Sequence, residues 1–162
     1  MKHIISVLVE NKFGVLARVA NLFSARGFNI DSLAVGETED AAVSRMTIVV
    51  SGDDRILEQV AKQLHKLVDV IKVQDLTKDD FLDRELILIK VAASGDKRSE
   101  VMQIVDIFRA NIVDVNTRSV VVEMTGDRNK VQALINLLAP FGIKEITRTG
   151  RIAMARREKN GK

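Results

Sequence analysis

Residues 4–9, IISVLV, form a short run of branched apolar residues, the length and composition of a buried strand. Val15, Leu16, Val19, Leu22 and Phe23 then recur at helical spacing, and Gly27 marks the helix stop. Residues 29–35, NIDSLAV, read as a second strand. After the polar loop GETEDAA, residues 46–50, MTIVV, read as a third. Ser51-Gly52-Asp53 turns the chain and offers Asp53 as an N-cap. Leu57, Val60, Ala61, Leu64 and Leu67 make the next apolar stripe, and VIKV at 70–73 closes the unit. The predicted order is βαββαβ.

The pattern then restarts. ELILIKVAA at 85–93 is a strand, and Val101, Ile104, Val105 and Phe108 share a helix face. IVDVNTRS and VVVEMTG are two strands, and Gly126-Asp127 repeats the Gly52-Asp53 turn and cap. Val131, Leu134, Ile135 and Leu138 form another stripe, followed by Pro140, Gly142 and a last strand, IKEITRT. TIVVSGDDRILEQVAKQL and VVVEMTGDRNKVQALINLL show the repeat most directly. The fold class is α+β, with two tandem ferredoxin-like βαββαβ domains. The expected boundaries are 1–76, a linker at 77–84, and 85–162 with a basic tail. A unit of about 75 residues buries only about 60% of its unfolded surface. Its open sheet face and edge strands need cover, which a second copy would supply, so a homo-oligomer with joined or stacked sheets is expected.

Composition narrows the function. The 162 residues are 46% hydrophobic and 29% charged, enough for a core, and no apolar run approaches a membrane span. The N-terminus shows no signal-peptide pattern, and the absence of cysteine fits a reducing cytoplasm. It also excludes disulfides, thiolate metal sites and cysteine nucleophiles. With no Trp or Tyr and only His3 and His65, neither a His-rich metal site nor an aromatic base-stacking surface is expected. His3, ahead of the first strand, is expected at the surface. The net charge of +3 is concentrated in the final segment RTGRIAMARREKNGK, read as a solvated, partly frayed terminus ahead of the alternative, docking on an acidic protein surface or a phosphate backbone.

Two loops carry candidate chemistry. Glu10-Asn11-Lys12-Phe13-Gly14 joins the first strand to the first helix. A helix N-terminus offers unpaired N–H groups and the positive dipole end, suited to a carboxylate or phosphate. Gly14 lets a ligand approach the backbone, and Asn11 brings an amide with both donor and acceptor. Val15 and Leu16 would receive a small aliphatic side chain. The alternative is that Asn11 caps the helix and Gly14 relieves a tight turn. In Gly27-Phe28-Asn29-Ile30, Asn29 either belongs to the helix C-cap or reaches a ligand held by the Asn11 loop of another copy. Asp53-Asp54 and Asp79-Asp80 fit capping and linker roles, and no P-loop, GxGxxG, HExxH or GxSxG is present.

ISVLVENKFGVLARVANLFSARGFNIDSLAVGETED, SRMTIVVSGD, QLHKLVDVIKVQDLT and RELILIKV together resemble the small regulatory subunits of acetohydroxyacid synthase (acetolactate synthase), whose N-terminal half is an ACT domain. The resemblance implies a subunit with no catalysis or cofactor of its own. Its partner would be a catalytic subunit using thiamine diphosphate, magnesium and FAD to join pyruvate to a second 2-keto acid. The small subunit would activate that partner and confer feedback inhibition by a branched-chain amino acid, typically valine. It implies an effector site at an ACT dimer interface, with Asn11, Gly14, Val15 and Leu16 on one side and Asn29 and Ile30 from the other chain. Many ACT domains have Pro where this chain has Phe13. The second repeat carries Ser94-Gly95-Asp96 in the corresponding loop, so no equivalent site is expected there. The rival readings are a PII-like nucleotide sensor and an RNA-binding module using the basic tail.

Overall fold

A computed structural model of the chain describes residues 2–157. They divide into two compact units. The first comprises the chain up to Leu82 together with the residues from Arg151 on, and the second is Asp83–Gly150.

The first unit runs β1 (Lys2–Glu10), α1 (Val15–Ala25), β2 (Asn29–Glu37), β3 (Val43–Ser51), α2 (Asp54–His65) and β4 (Val70–Asp75). Its antiparallel sheet has the order β2-β3-β1-β4, so β2 and β4 are the edges. Strand residues alternate between faces. Ile5, Val7 and Val9 of β1 and Met46, Ile48 and Val50 of β3 meet Val15, Val19 and Phe23 of α1 and Leu57, Val60 and Leu64 of α2 in one core. α1 ends as the sequence predicts. Gly27 lies at φ 81°, its N–H donates to Ser24 O, and Phe28 N–H donates to Phe23 O, which pairs the last carbonyls. Asp53 caps α2 through its side chain, which accepts from Arg55 N.

The second unit repeats this plan with β5 (Phe81–Ala92), α3 (Lys97–Ile107), β6 (Asn111–Val115), β7 (Ser119–Gly126), α4 (Arg128–Leu138), a 3-10 turn at Ala139–Phe141 and β8 (Ile143–Arg148). The strand order β6-β7-β5-β8 matches that of the first unit. Its separate core gathers Ile87, Ile89, Val91, Val120, Val122 and Met124 under the two helices. Asp127 caps α4 by accepting from Lys130 N. At the end of α3 the place of Gly27 is taken by Arg109, a non-glycine residue at φ 54°.

Three expectations change. The linker is shorter than 77–84, because β5 begins at Phe81. The basic tail does not stay with the C-terminal domain. Residues 152–155 form β9, and Arg156 N donates to Asp80 O, within the first unit. Ala153 packs with Ile4, Val49 and Leu76, while Phe81 and Ala155 lie against them. Part of the first sheet's open face is therefore covered by its own chain, because Ile4 and Val49 present apolar surface there. The last five residues lie outside the described region. Finally, His3 is not at the surface. It lies within β1, is 4% exposed, and its Nε2 sits 2.8 Å from Asp54 Oδ1 on α2.

Candidate functional site

The β1–α1 loop leaves α1 with an uncapped N-terminus. The N-cap position is Gly14 at φ 83°, with no side-chain cap and no acidic residue in the first turn. α2 and α4 both have an aspartate in this role, so α1 stands apart from them. Val15 N reaches Lys12 O at a long 3.5 Å, and Arg18 N reaches Gly14 O at 3.2 Å. Of the first-turn N–H groups, those of Leu16 and Ala17 have no backbone partner among the described residues, and they stand at the positive end of the helix dipole. A Cβ on Gly14 would meet Arg18 Nη1 at 3.4 Å, with nothing else within 4 Å, so the approach to the backbone is open.

Asn11 does not cap the helix. Its Nδ2 donates to Ala41 O at 3.0 Å and to Glu37 Oε1 at 3.3 Å, and its backbone N donates to Ala42 O at 2.8 Å. These bonds fasten the loop to the β2–β3 connection. The amide nitrogen is engaged within the protein, and the oxygen remains as an acceptor. Val15 differs from expectation, because its side chain is 2% exposed and belongs to the core. Only its backbone faces the loop. Leu16 is 44% exposed and Phe13 is fully exposed, so these two supply the accessible apolar surface. Lys12 is held above its ordinary pKa by its hydrogen bond to Glu10, 2.8 Å away, and by the Glu10 charge. Arg18 pairs with Asp69.

Asn29 and Ile30 lie elsewhere. Asn29 opens β2 opposite Ser51, which itself faces Lys2, the first residue of β1. Asn11 follows the last residue of β1, at the end where Glu37 closes β2. The two halves of the expected site are therefore at opposite ends of β2, about 27 Å apart along a strand of this length. Asn29 Nδ2 donates to Asp31 Oδ1 at 2.6 Å, and Ile30 is half-buried against the core. Asp31 also accepts from Ser51 Oγ at 2.6 Å. That bond, with the Asn29 amide and Lys2, holds its carboxyl below the usual range against the opposing cost of burial. Sequence reasoning did not find the Asn11–Glu37 and Arg18–Asp69 partnerships. Their members are 26 and 51 residues apart, and spacing carries no signal for them.

In the second unit the corresponding loop is occupied by its own chain. Arg98 Nε donates to Ala93 O at 3.0 Å, and its Nη2 bonds Asn116 O. Among the described residues, no group of three His, Cys, Asp or Glu side chains is placed to hold a metal ion, and no helix is long and apolar enough to cross a membrane.

Comparison with known proteins places both units. Residues 5–72 match a family model described as an AHAS small subunit-like ACT domain, and residues 84–157 match one described as the small subunit of acetolactate synthase. The chain belongs to the acetolactate synthase small-subunit family. It is 53% identical over 156 residues to the acetolactate synthase small subunit of Aquifex aeolicus, an alignment covering 96% of this chain and 81% of that one. It is 56% identical over 154 residues to the small subunit of Mycobacterium leprae, covering 95% and 91%. The crystal structure of the acetolactate synthase small subunit from Thermotoga maritima superposes with a TM-score of 0.85 at 47% identity, covering 98% of this chain and 99% of that one. As a family member this chain has a catalytic subunit as its partner, and the family implies a place in branched-chain amino acid biosynthesis.

Proposed function

We propose that this chain is the non-catalytic regulatory subunit of a cytoplasmic acetolactate synthase. It activates a catalytic subunit that holds thiamine diphosphate, magnesium and FAD, and it makes that subunit sensitive to a free branched-chain amino acid, with valine as the effector. The observation that carries this reading is the division of the site between the two ends of an edge strand. Asn11 and the open N-terminus of α1 lie at one end of β2, and Asn29 and Ile30 lie at the other. An edge strand presents a row of backbone groups that a second copy can pair with. If two β2 strands pair antiparallel about a two-fold axis, Asn29 of one copy lies beside Glu37 and Asn11 of the other. Each dimer then completes two sites from halves that one chain cannot unite.

Within such a site the N–H groups of the first turn of α1 take the effector carboxylate. The free oxygen of Asn11 accepts from its ammonium, and Leu16 and Phe13 cover the aliphatic group. Burial of an isopropyl group contributes about 1.5–3 kcal/mol, so the charged ends supply much of the remaining affinity. Regulation follows by linkage. Valine favours one arrangement of the dimer and the catalytic subunit favours another. A coupling of about 1–3 kcal/mol corresponds to roughly 5–150-fold in the affinity of each for the protein.

The test is to mix the purified chain with a catalytic subunit and follow acetolactate formation with and without valine. Activation that valine reverses is expected. No activation, or activation untouched by valine, leucine and isoleucine, overturns the reading.

A further inference from the structure

We propose that the seam between α2 and β4 holds a second small-molecule site, which takes a short aliphatic primary amine with its ammonium on His3. A cavity of about 210 Å³ lies there within the first unit, on the β1–β4 side of the sheet and away from β2. That is room for roughly seven waters at about 30 Å³ each, or for a short alkyl chain with a polar head. Ile5, Phe23, Leu57 and Leu64 face it from the core. A lining of this kind favours an alkyl group over water.

The polar groups choose the head. His3 lines the cavity and is buried. Its Nε2 stands 2.8 Å from Asp54 Oδ1, and its Nδ1 is buried with no hydrogen-bond partner among the described residues. A nitrogen so placed has lost water without gaining a bond, and native structures rarely leave such an atom alone. With a carboxylate at Nε2, the proton of the neutral ring sits on Nε2, and Nδ1 is an acceptor. The missing group is therefore a donor. Its charge follows from the acids. Glu58 lies one turn beyond Asp54 on the same face of α2, and both line the cavity. Among the described residues Glu58 has no cation within ion-pair distance. Asp75, which accepts from Thr77 N at 3.0 Å, adds a third carboxylate, set against Lys78 and His65 at the rim. A carboxylate ligand would meet repulsion here. A hydroxyl would satisfy Nδ1 and leave Glu58 unused. An ammonium uses both.

The experiment uses the intact chain. It has only two histidines, so ring-nitrogen NMR reads His3 and His65 separately. n-Butylamine is titrated beside n-butanol and butyrate, which share its alkyl character. The amine is expected to shift the His3 Nδ1 signal saturably, with n-butanol about tenfold weaker and butyrate without effect. Backbone amide shifts of residues 54–58 and 75–78 follow the variants. Glu58→Gln, an exposed position, is expected to weaken the amine about two- to fivefold. His3→Phe keeps a ring and removes the acceptor, and it is expected to weaken the amine about tenfold or more. His3→Asn returns an acceptor near the place of Nδ1 and should restore part of the loss. Thermal melts show which variants fold, and Glu58→Gln decides the matter if the His3 variants do not. No saturable His3 shift at tens of millimolar amine would mean that the cavity holds water only, and it overturns the proposal. So does an equal response to butyrate, an amine affinity unchanged in Glu58→Gln, or a response confined to His65. Each of these leaves the regulatory reading standing, because neither valine nor the catalytic subunit enters the experiment.

Discussion

Gly14→Asp separates the electrostatic contribution of the α1 N-terminus from its backbone geometry. Residue 14 sits at φ 83°, where a side chain costs about 1–2 kcal/mol. Sterically the site is open, since the nearest atom to an added Cβ is the end of the flexible Arg18 side chain at 3.4 Å. The fold is therefore expected to survive with a modest loss of stability. The effector is affected differently. A carboxylate at position 14 competes for the first-turn N–H groups and places a negative charge beside that of the ligand. At about 4 Å and an effective dielectric near 20, two such charges repel by about 4 kcal/mol, and solvent access reduces this. A loss of valine affinity of at least about tenfold, about 1.4 kcal/mol, is the conservative expectation. Gly14→Ala is the control, because it carries the same backbone strain without the charge, and it is expected to bind valine within a few-fold of the unsubstituted chain. Isothermal titration with valine, alongside thermal melts of all three chains, makes the measurement. Unchanged valine affinity in Gly14→Asp, with the protein still folded, would refute the assignment of the carboxylate to this helix end.

Asn29→His should likewise weaken valine binding without unfolding the first unit, and an unaltered titration would remove Asn29 from the site. Gly52→Ala tests the core, because a Cβ there would lie 2.1 Å from Phe28, whose ring meets Phe23 edge-on at 6.2 Å. Displacing that buried ring should cost about 1–3 kcal/mol, read as a lower urea midpoint with an unchanged slope. Arg109→Gly should stabilise the second unit by up to about 1 kcal/mol, since it relieves a left-handed backbone at φ 54°, and calorimetry would show no gain if that residue were unstrained. Asp31 gives a pH signature. Its carboxyl is held below the usual range first by Ser51, then by Asn29 and Lys2, so its contribution to stability is complete above about pH 4 and fades as pH falls through the lowered folded value. Asp31→Asn should flatten that acid limb in a denaturation series from pH 6 to pH 2, and an identical limb would count against the assigned contacts.

The two repeats, the helix stripes and the turns were legible because each depends on residues within a few positions of one another. Asp53 and Asp127 cap helices three residues or fewer away, and Gly27 ends α1 through bonds to Ser24 and Phe23. The candidate loop was legible as a loop for the same reason. The sequence did not reveal the depth of Val15, which the helix pattern alone allows on either the core or the ligand side, nor the burial of His3 against an aspartate 51 positions on. Local pattern determined which elements form and which faces are apolar, since backbone geometry sets the periods of 3.6 and 2. Only the tertiary structure decided what covers each face. The pairing of strands set Asn11 and Asn29 at opposite ends of β2, and it brought Ala153 back onto a sheet begun at the other end of the chain. Contacts between segments a hundred or more residues apart depend on how whole surfaces fit, and no spacing along the chain encodes that fit.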